Sequence, residues 1–126
     1  MLSAHAGGDR VLEIVPVATL AEVVLAQRAA IAVHASAPLR DYIVALLAHT
    51  REDRRTELGA SPRAGLMLLK AAKAAAALAG RDHVLPDDVQ ALAASVLAHR
   101  LVPGAAADGV SREEIVRDAL AAVPAL

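Results

Sequence analysis

One aromatic residue, Tyr42, stands in a chain that carries 32 Ala and 18 Leu among its 126 residues. Ala and Leu are the strongest helix formers, whereas the core of a β-sandwich draws on aromatic and β-branched side chains. The chain is therefore predicted to be all-α. Its hydrophobic content of 56% is too high for a disordered chain, and its length suits a single domain of roughly 100–150 residues. With no Phe and no Trp, it lacks the stacking platforms used on single-stranded nucleic acid. A formal net charge of −1 offers no general field for nucleic acid or an anionic membrane. The absence of Cys excludes disulfides, zinc–thiolate sites and a cysteine nucleophile. No stretch reaches the ~18 uninterrupted apolar residues of a membrane helix, and the first residues lack a signal peptide's basic and apolar regions. The expectation is a cytoplasmic chain with no membrane span and no nucleic-acid partner.

Start and stop signals divide the chain into five helical stretches. Residues 1–18 carry the Gly7-Gly8 turn signal and the β-branched, Pro-bearing run Leu12–Val17, and they read as an extended connector. Helix one opens at Thr19 with the Thr-x-x-Glu spacing of a capping box and ends near His34. Its apolar stripe is Leu20, Val23, Val24, Ala30 and Ile31. Helix two starts at Ser36 with Pro38 in its first turn and buries Leu39, Tyr42, Ile43, Leu46 and Leu47 at helical spacing. Residues 51–58 read as a charged loop. Helix three begins behind Ser61-Pro62 and continues through Leu66, Leu69, Ala72, Ala76 and Leu78 until Gly80 stops it. Helix four follows Pro86-Asp87-Asp88 and buries Val89, Leu92, Ala93, Val96 and Leu97. After a loop at 103–109, Ser111 and Glu114 make a second capping box for helix five, which Pro124 closes. The expected architecture is a compact bundle of four to five helices over residues 19–126.

Few residues suggest chemistry. No phosphate-binding loop or nucleophile elbow occurs, and the five His lack metal-ligand spacing, so no metal site is predicted. Asp87 and Asp88 point in different directions on a helix and are best explained as charge at a helix N-terminus. Arg63 differs. It occupies the first turn of helix three behind a Ser61-Pro62 cap, where a helix offers free N–H groups and partial positive charge. Its planar guanidinium matches phosphate oxygens, and Lys70 follows two turns later on nearly the same face. The residues alone leave two readings open, a phosphate-sensing arginine and an ordinary solvated arginine at the edge of an amphipathic helix. Arg51, Arg54 and Arg55 read as a solvated charged loop or as contacts to a neighbouring subunit. His99-Arg100 reads as a pair at a helix C-terminus.

Four strings taken together resemble the lid domain of the MoxR family of AAA+ ATPases: Gly59-Ala60-Ser61-Pro62-Arg63-Ala64, Leu68 to Ala74, Gly80 to Val89, and Val96 to Leu101. Asp41-Tyr42-Ile43-Val44 with Thr50-Arg51 is similar to the family's second lid helix. Leu85 departs from the pattern, standing where family members often carry a capping Thr. The resemblance covers about residues 9 to 124. It implies an AAA+ lid fold in which Arg63 is the sensor-2 arginine, with Ser61, Pro62 and Arg63 at the nucleotide and Arg63 in the catalytic role. It implies ATP as cofactor, with Mg²⁺ held by a preceding ATPase core, residues 1–18 being the connector from that core. It further implies a chaperone-like homo-hexamer, partnered by proteins with von Willebrand A domains, in which the lid couples hydrolysis to movement. The parent would be an ATPase, and this segment alone would be inactive. The alternative is a free-standing helical protein-interaction module that binds no nucleotide.

Overall fold

The computed structural model describes residues 15–125. The Gly7-Gly8 turn and the first part of the predicted connector lie outside the described residues. Five α-helices follow in order: α1 (Leu20–Ala32), α2 (Ala37–Glu52), α3 (Pro62–Leu78), α4 (Pro86–Leu97) and α5 (Arg112–Ala122). The expected all-α bundle is present, and each start falls where the capping signals put it. Thr19 accepts from the Glu22 N–H, and Glu22 accepts in return from the Thr19 N–H at 2.7 Å. Ser111 and Glu114 make the same reciprocal pair at α5. Ser36 and Ser61 cap α2 and α3 ahead of a Pro. At α4 the Leu85 side chain can cap nothing. Asp88 supplies half of the box by accepting from the Leu85 N–H at 2.8 Å.

Two short β-strands, β1 (Thr56–Leu58) and β2 (Val102–Pro103), form an antiparallel ribbon with an irregular register between Thr56 and Leu58. The sequence reading had loops at both places. Segments of two and three residues are too short to show a period of two. A second tie joins the α1–α2 and α3–α4 links: the His34 N–H donates to Asp82 O at 2.7 Å and the Val84 N–H donates to His34 O at 3.0 Å.

The core lies between α2, α3, α4 and α5. All five predicted residues of α2 are buried, and α4 buries Val89, Ala93 and Leu97, with Leu92 and Val96 half-buried. Two predicted faces need correction. In α3 the buried face is Ala64, Gly65, Leu68, Ala72 and Ala76, while Leu66 is 60% and Leu78 90% exposed. Small residues let α3 approach its neighbours closely. A Cβ added at Gly65 would sit 2.5 Å from Leu47 Cδ1. In α1 no residue is buried; Leu20 is 81% and Ile31 74% exposed. The end of its apolar stripe, Ala30 and Ile31, faces α3 across a shallow groove, while Leu20, at its start, stays exposed.

Candidate functional site

The segment that leads into α3 is tightly determined. Ser61 is extended (φ −75°, ψ 161°), and its Oγ accepts from the Ala64 N–H at 3.3 Å. Pro62 has no N–H and its ring presets the helical φ. The Ala64 and Gly65 N–H groups also reach Ser61 O. Of the first-turn donors, that of Arg63 alone is left without a partner among the described residues. The Ser61 hydroxyl is thus committed to the cap, and the free N–H groups expected at this helix start reduce to one.

Arg63 itself is exposed, and its guanidinium has no hydrogen-bond or ion-pair partner among the described residues. No acidic residue stands in the first turn of α3, whereas α1, α4 and α5 each carry one or two there. The positive end of the α3 dipole is therefore not offset locally, and a guanidinium adds to it. Such a helix start favours an anion.

Apolar surface flanks this start. A groove of about 360 Å³ between α2 and α3 runs over Ile43, Val44, Leu47, Gly65 and Leu66, with Arg40, Arg51 and Pro62 on its rim. On the other side of Leu66, Lys70 joins Ile31 and Lys73 along a groove between α1 and α3. Lys70, expected on the face of Arg63, is exposed there. The Lys73 ammonium donates to Ile31 O at 3.0 Å and fastens the end of α1 to α3.

Of the three arginines read as a solvated charged loop or as contacts to a neighbouring subunit, Arg51 falls in the last turn of α2 and Arg55 is paired within the chain. Arg55 forms a forked contact with Asp53, the shortest arm being 2.7 Å, and reaches Asp118 on α5 at 2.8 Å. Hydrogen bonding from Arg55 holds the Asp53 carboxyl below the usual carboxylate range. The Arg55 guanidinium is shifted upward, first by its bond to Asp53 and then by that to Asp118. Arg51 donates to Ala60 O at 3.3 Å. Arg54 is exposed. Asp88 is more than charge at a helix start: Arg81 binds it bidentately at 2.6 and 2.7 Å, and that bond lowers its pKa. Asp87 is exposed. At the end of α4, His99 Nδ1 lies 3.2 Å from Ser95 O, as expected for a residue that meets helix-end carbonyls.

Sequence reasoning missed Thr50. It is fully buried and joins the C-terminus of α2 to the residue before the α3 cap, accepting from the Ala60 N–H at 3.0 Å. The resemblance took in the Thr50-Arg51 pair, but nothing in the sequence pointed to Ala60 as the partner of the hydroxyl.

Comparison with known proteins places this geometry. The AAA lid domain model matches residues 48–119, a span that includes Ser61, Pro62 and Arg63. The uncharacterized protein YeaC of Bacillus subtilis (strain 168) is 40% identical over 110 residues, 86% of this chain and 34% of that protein. Chaperone MoxR1 of Mycobacterium tuberculosis is 38% identical over 96 residues, covering 68% of this chain and 26% of its own length. A crystal structure from Cytophaga hutchinsonii, of a protein provisionally named an ATPase, superposes with a TM-score of 0.74 at 32% identity, over 79% of this chain and 33% of that one. The chain spans between about a quarter and a third of the length of these relatives.

Proposed function

The chain belongs to the AAA lid domain family, in its MoxR-type form, and from that premise we propose that it closes over ATP bound to an ATPase core and reads the terminal phosphate through Arg63. The observation that carries this is the state of Arg63: exposed, without a partner among the described residues, and mounted on a capped helix start that has no acidic residue of its own. ATP would supply the phosphoryl group whose charge grows during transfer. Arg63 would donate a charge-assisted, potentially bidentate bond to it, stabilising that charge as an electrostatic donor. Hydrolysis then removes the contact and frees the lid to move. The residues here fit one side of a phosphate site. Mg²⁺ and the groups that hold it would belong to the core, with residues 1–18 as the connector to it.

The exposed start of the α1 stripe supports the same arrangement. Leu20, Val23 and Val24 offer an apolar face next to that connector, where a core domain would cover it. The wider reading is a cytoplasmic, chaperone-like hexamer working with von Willebrand A domain proteins. A second reading, a helical protein-interaction module without nucleotide, draws on the same exposed stripe and on the grooves beside α3.

Arg63→Ala in the ATPase that contains this lid separates the two. Turnover should fall on the order of 100-fold, as for loss of a comparable electrostatic donor. Stability should change by no more than about 0.5 kcal/mol, the usual bound for an exposed side chain. Arg63→Lys should recover only part of the activity, because a point charge lacks the planar fork. Lys70→Ala removes a charge two turns along and should leave turnover nearly intact. Unchanged turnover in Arg63→Ala, or an equal defect in Lys70→Ala, would make Arg63 an ordinary surface arginine.

A further inference from the structure

Ala60, the residue just before the α3 cap, is held at both its N–H and its C=O by two successive residues of α2. Thr50 Oγ1 accepts from the Ala60 N–H at 3.0 Å and donates to Leu47 O at 2.8 Å. Arg51 Nη1 donates to Ala60 O at 3.3 Å. Thr50 and Ala60 are both fully buried, so water cannot replace the hydroxyl if it is removed. The approach is close enough to need glycine: a Cβ at Gly59 would lie 2.6 Å from Arg51 Cα, Arg51 N and Thr50 O. Thr56 Oγ1 closes the loop from below by donating to Thr50 O at 2.7 Å. Arg63 follows Ala60 by three residues, with the Ser61 cap and the Pro62 ring between them.

We propose that Thr50 and Arg51 are positioning residues that set the direction in which α3 presents Arg63, an inference that rests on the phosphate-sensing reading above. A buried Val would satisfy packing at position 50 as well as Thr does. The hydroxyl, itself anchored on Leu47 O, is what holds the Ala60 amide at one distance from α2. With that amide fixed, the start of α3 has no freedom to slide along α2, and the base of the Arg63 side chain keeps one place relative to the lid. Displacing a catalytic group by about 1 Å can cost up to 100-fold in rate, which makes such a fixture consequential for a contact of hydrogen-bond length.

The test uses the ATPase that contains this lid, with MgATP as substrate. Thr50→Val should lower kcat by about tenfold, within the range of such misplacements, while KM changes less. Thr50→Ser, which keeps the oxygen, should restore most of the rate. In an Arg63→Ala background, Thr50→Val should cost almost nothing further, since the residue it positions is gone. If Thr50→Val lowers kcat by the same factor with and without Arg63, it acts through general loosening and the inference fails. It fails also if Thr50→Val leaves kcat unchanged while Arg63→Ala does not. If Arg63→Ala itself has no effect, the phosphate-sensing reading falls, and this inference falls with it for a separate and visible reason. Should Thr50→Val not fold, Arg51→Ala replaces it in the same cycle under the same criteria, because that side chain is exposed and its loss leaves the core intact.

Discussion

Replacing Asp88 by Ala tests the junction between α3 and α4 with a magnitude that can be worked out. The Asp88 side chain is 11% exposed, and that of Arg81 is 26% exposed. Three contributions vanish together. The first is the bidentate bond from Arg81; its partner is partly in water, so it counts near the upper end of surface pairs, about 1 kcal/mol. The second is the hydrogen bond from the Leu85 N–H, a capping contact worth about 1 kcal/mol. The third is negative charge on the first turn of α4, about 0.5 kcal/mol. Because the three share one carboxylate they overlap, and the expected loss is about 2 kcal/mol. For a chain of this size that lowers Tm by roughly 6–10 °C.

The acid side gives the sharper check. Hydrogen bonding from Arg81 holds the folded pKa of Asp88 below its ordinary value. A carboxyl with a lowered folded pKa stabilises fully above its unfolded pKa, about 3.9. That stability is lost as pH falls through the folded value. The gap between wild type and Asp88→Ala should therefore be full at pH 7 and narrow below about pH 4. Urea midpoints for the two proteins at a series of pH values measure it. Asp53, also lowered, titrates in both and largely cancels. Equal stability at pH 7, or a gap that stays constant into acid, would show that the Asp88 carboxylate does not hold this junction.

Three further outcomes are expected. Gly59→Ala should destabilise by at least about 3 kcal/mol, the upper end for overpacking, because its Cβ meets backbone atoms at 2.6 Å. Gly65→Ala should cost less, about 1–2 kcal/mol, since the nearest atom is a Leu47 methyl and helix propensity returns part of the loss. Denaturant midpoints rank the two, and the reverse order would refute the contact argument. Ser111→Ala should lower global stability by about 1 kcal/mol, whereas Thr19→Ala should mainly speed amide exchange within α1, which buries no residue; equal effects of both on the global melt would show that α1 is part of the cooperative core. Highly purified chain should release no phosphate from MgATP, for lack of a phosphate-binding loop; turnover that is lost on mutating one of its residues would refute the lid reading.

How far the sequence could be read depended on what kind of signal each element carries. Caps are local: a Ser, Thr or acid within three residues of the N–H it satisfies, so the starts of α1, α2, α3 and α5 were legible without any tertiary information. The α2 core face was legible because large apolar residues mark it. The α3 face was only partly read, since its core side is mostly Ala and Gly around a single Leu68, while Leu66 and Leu78 point outward. Size and hydropathy favoured the wrong face, and close approach to Leu47 favoured the small one. Arg55 was taken for a solvated residue because its second partner, Asp118, is 63 positions away. The Thr50 contact spans ten positions and joins two common residue types, so the linear pattern, which marked Thr50-Arg51 only through the family resemblance, did not show what Thr50 holds.

The same distinction bears on the candidate site. Arg63 was legible because its setting is local: a cap, a Pro and a first turn. What holds that setting in place is not local. The start of α3 is tied to the end of α2 through Ala60, the end of α2 is tied through Asp53 and Arg55 to Asp118 on α5, and the ribbon at Thr56 and Pro103 closes the same corner. Under the proposed reading, in which the lid loses a phosphate contact and then moves as a body, Arg63 has to be mounted on the rigid part. The connections made by α1 are of a different sort: it packs along α3 without burying a side chain of its own, and adds one lysine bond from Lys73 to Ile31 O and the bridge at His34 and Val84 just beyond its end. Arg63 is thus mounted where α3 meets α2 and α4 through fully buried side chains, whereas its contact with α1 buries none of α1's residues and is the easier one to readjust.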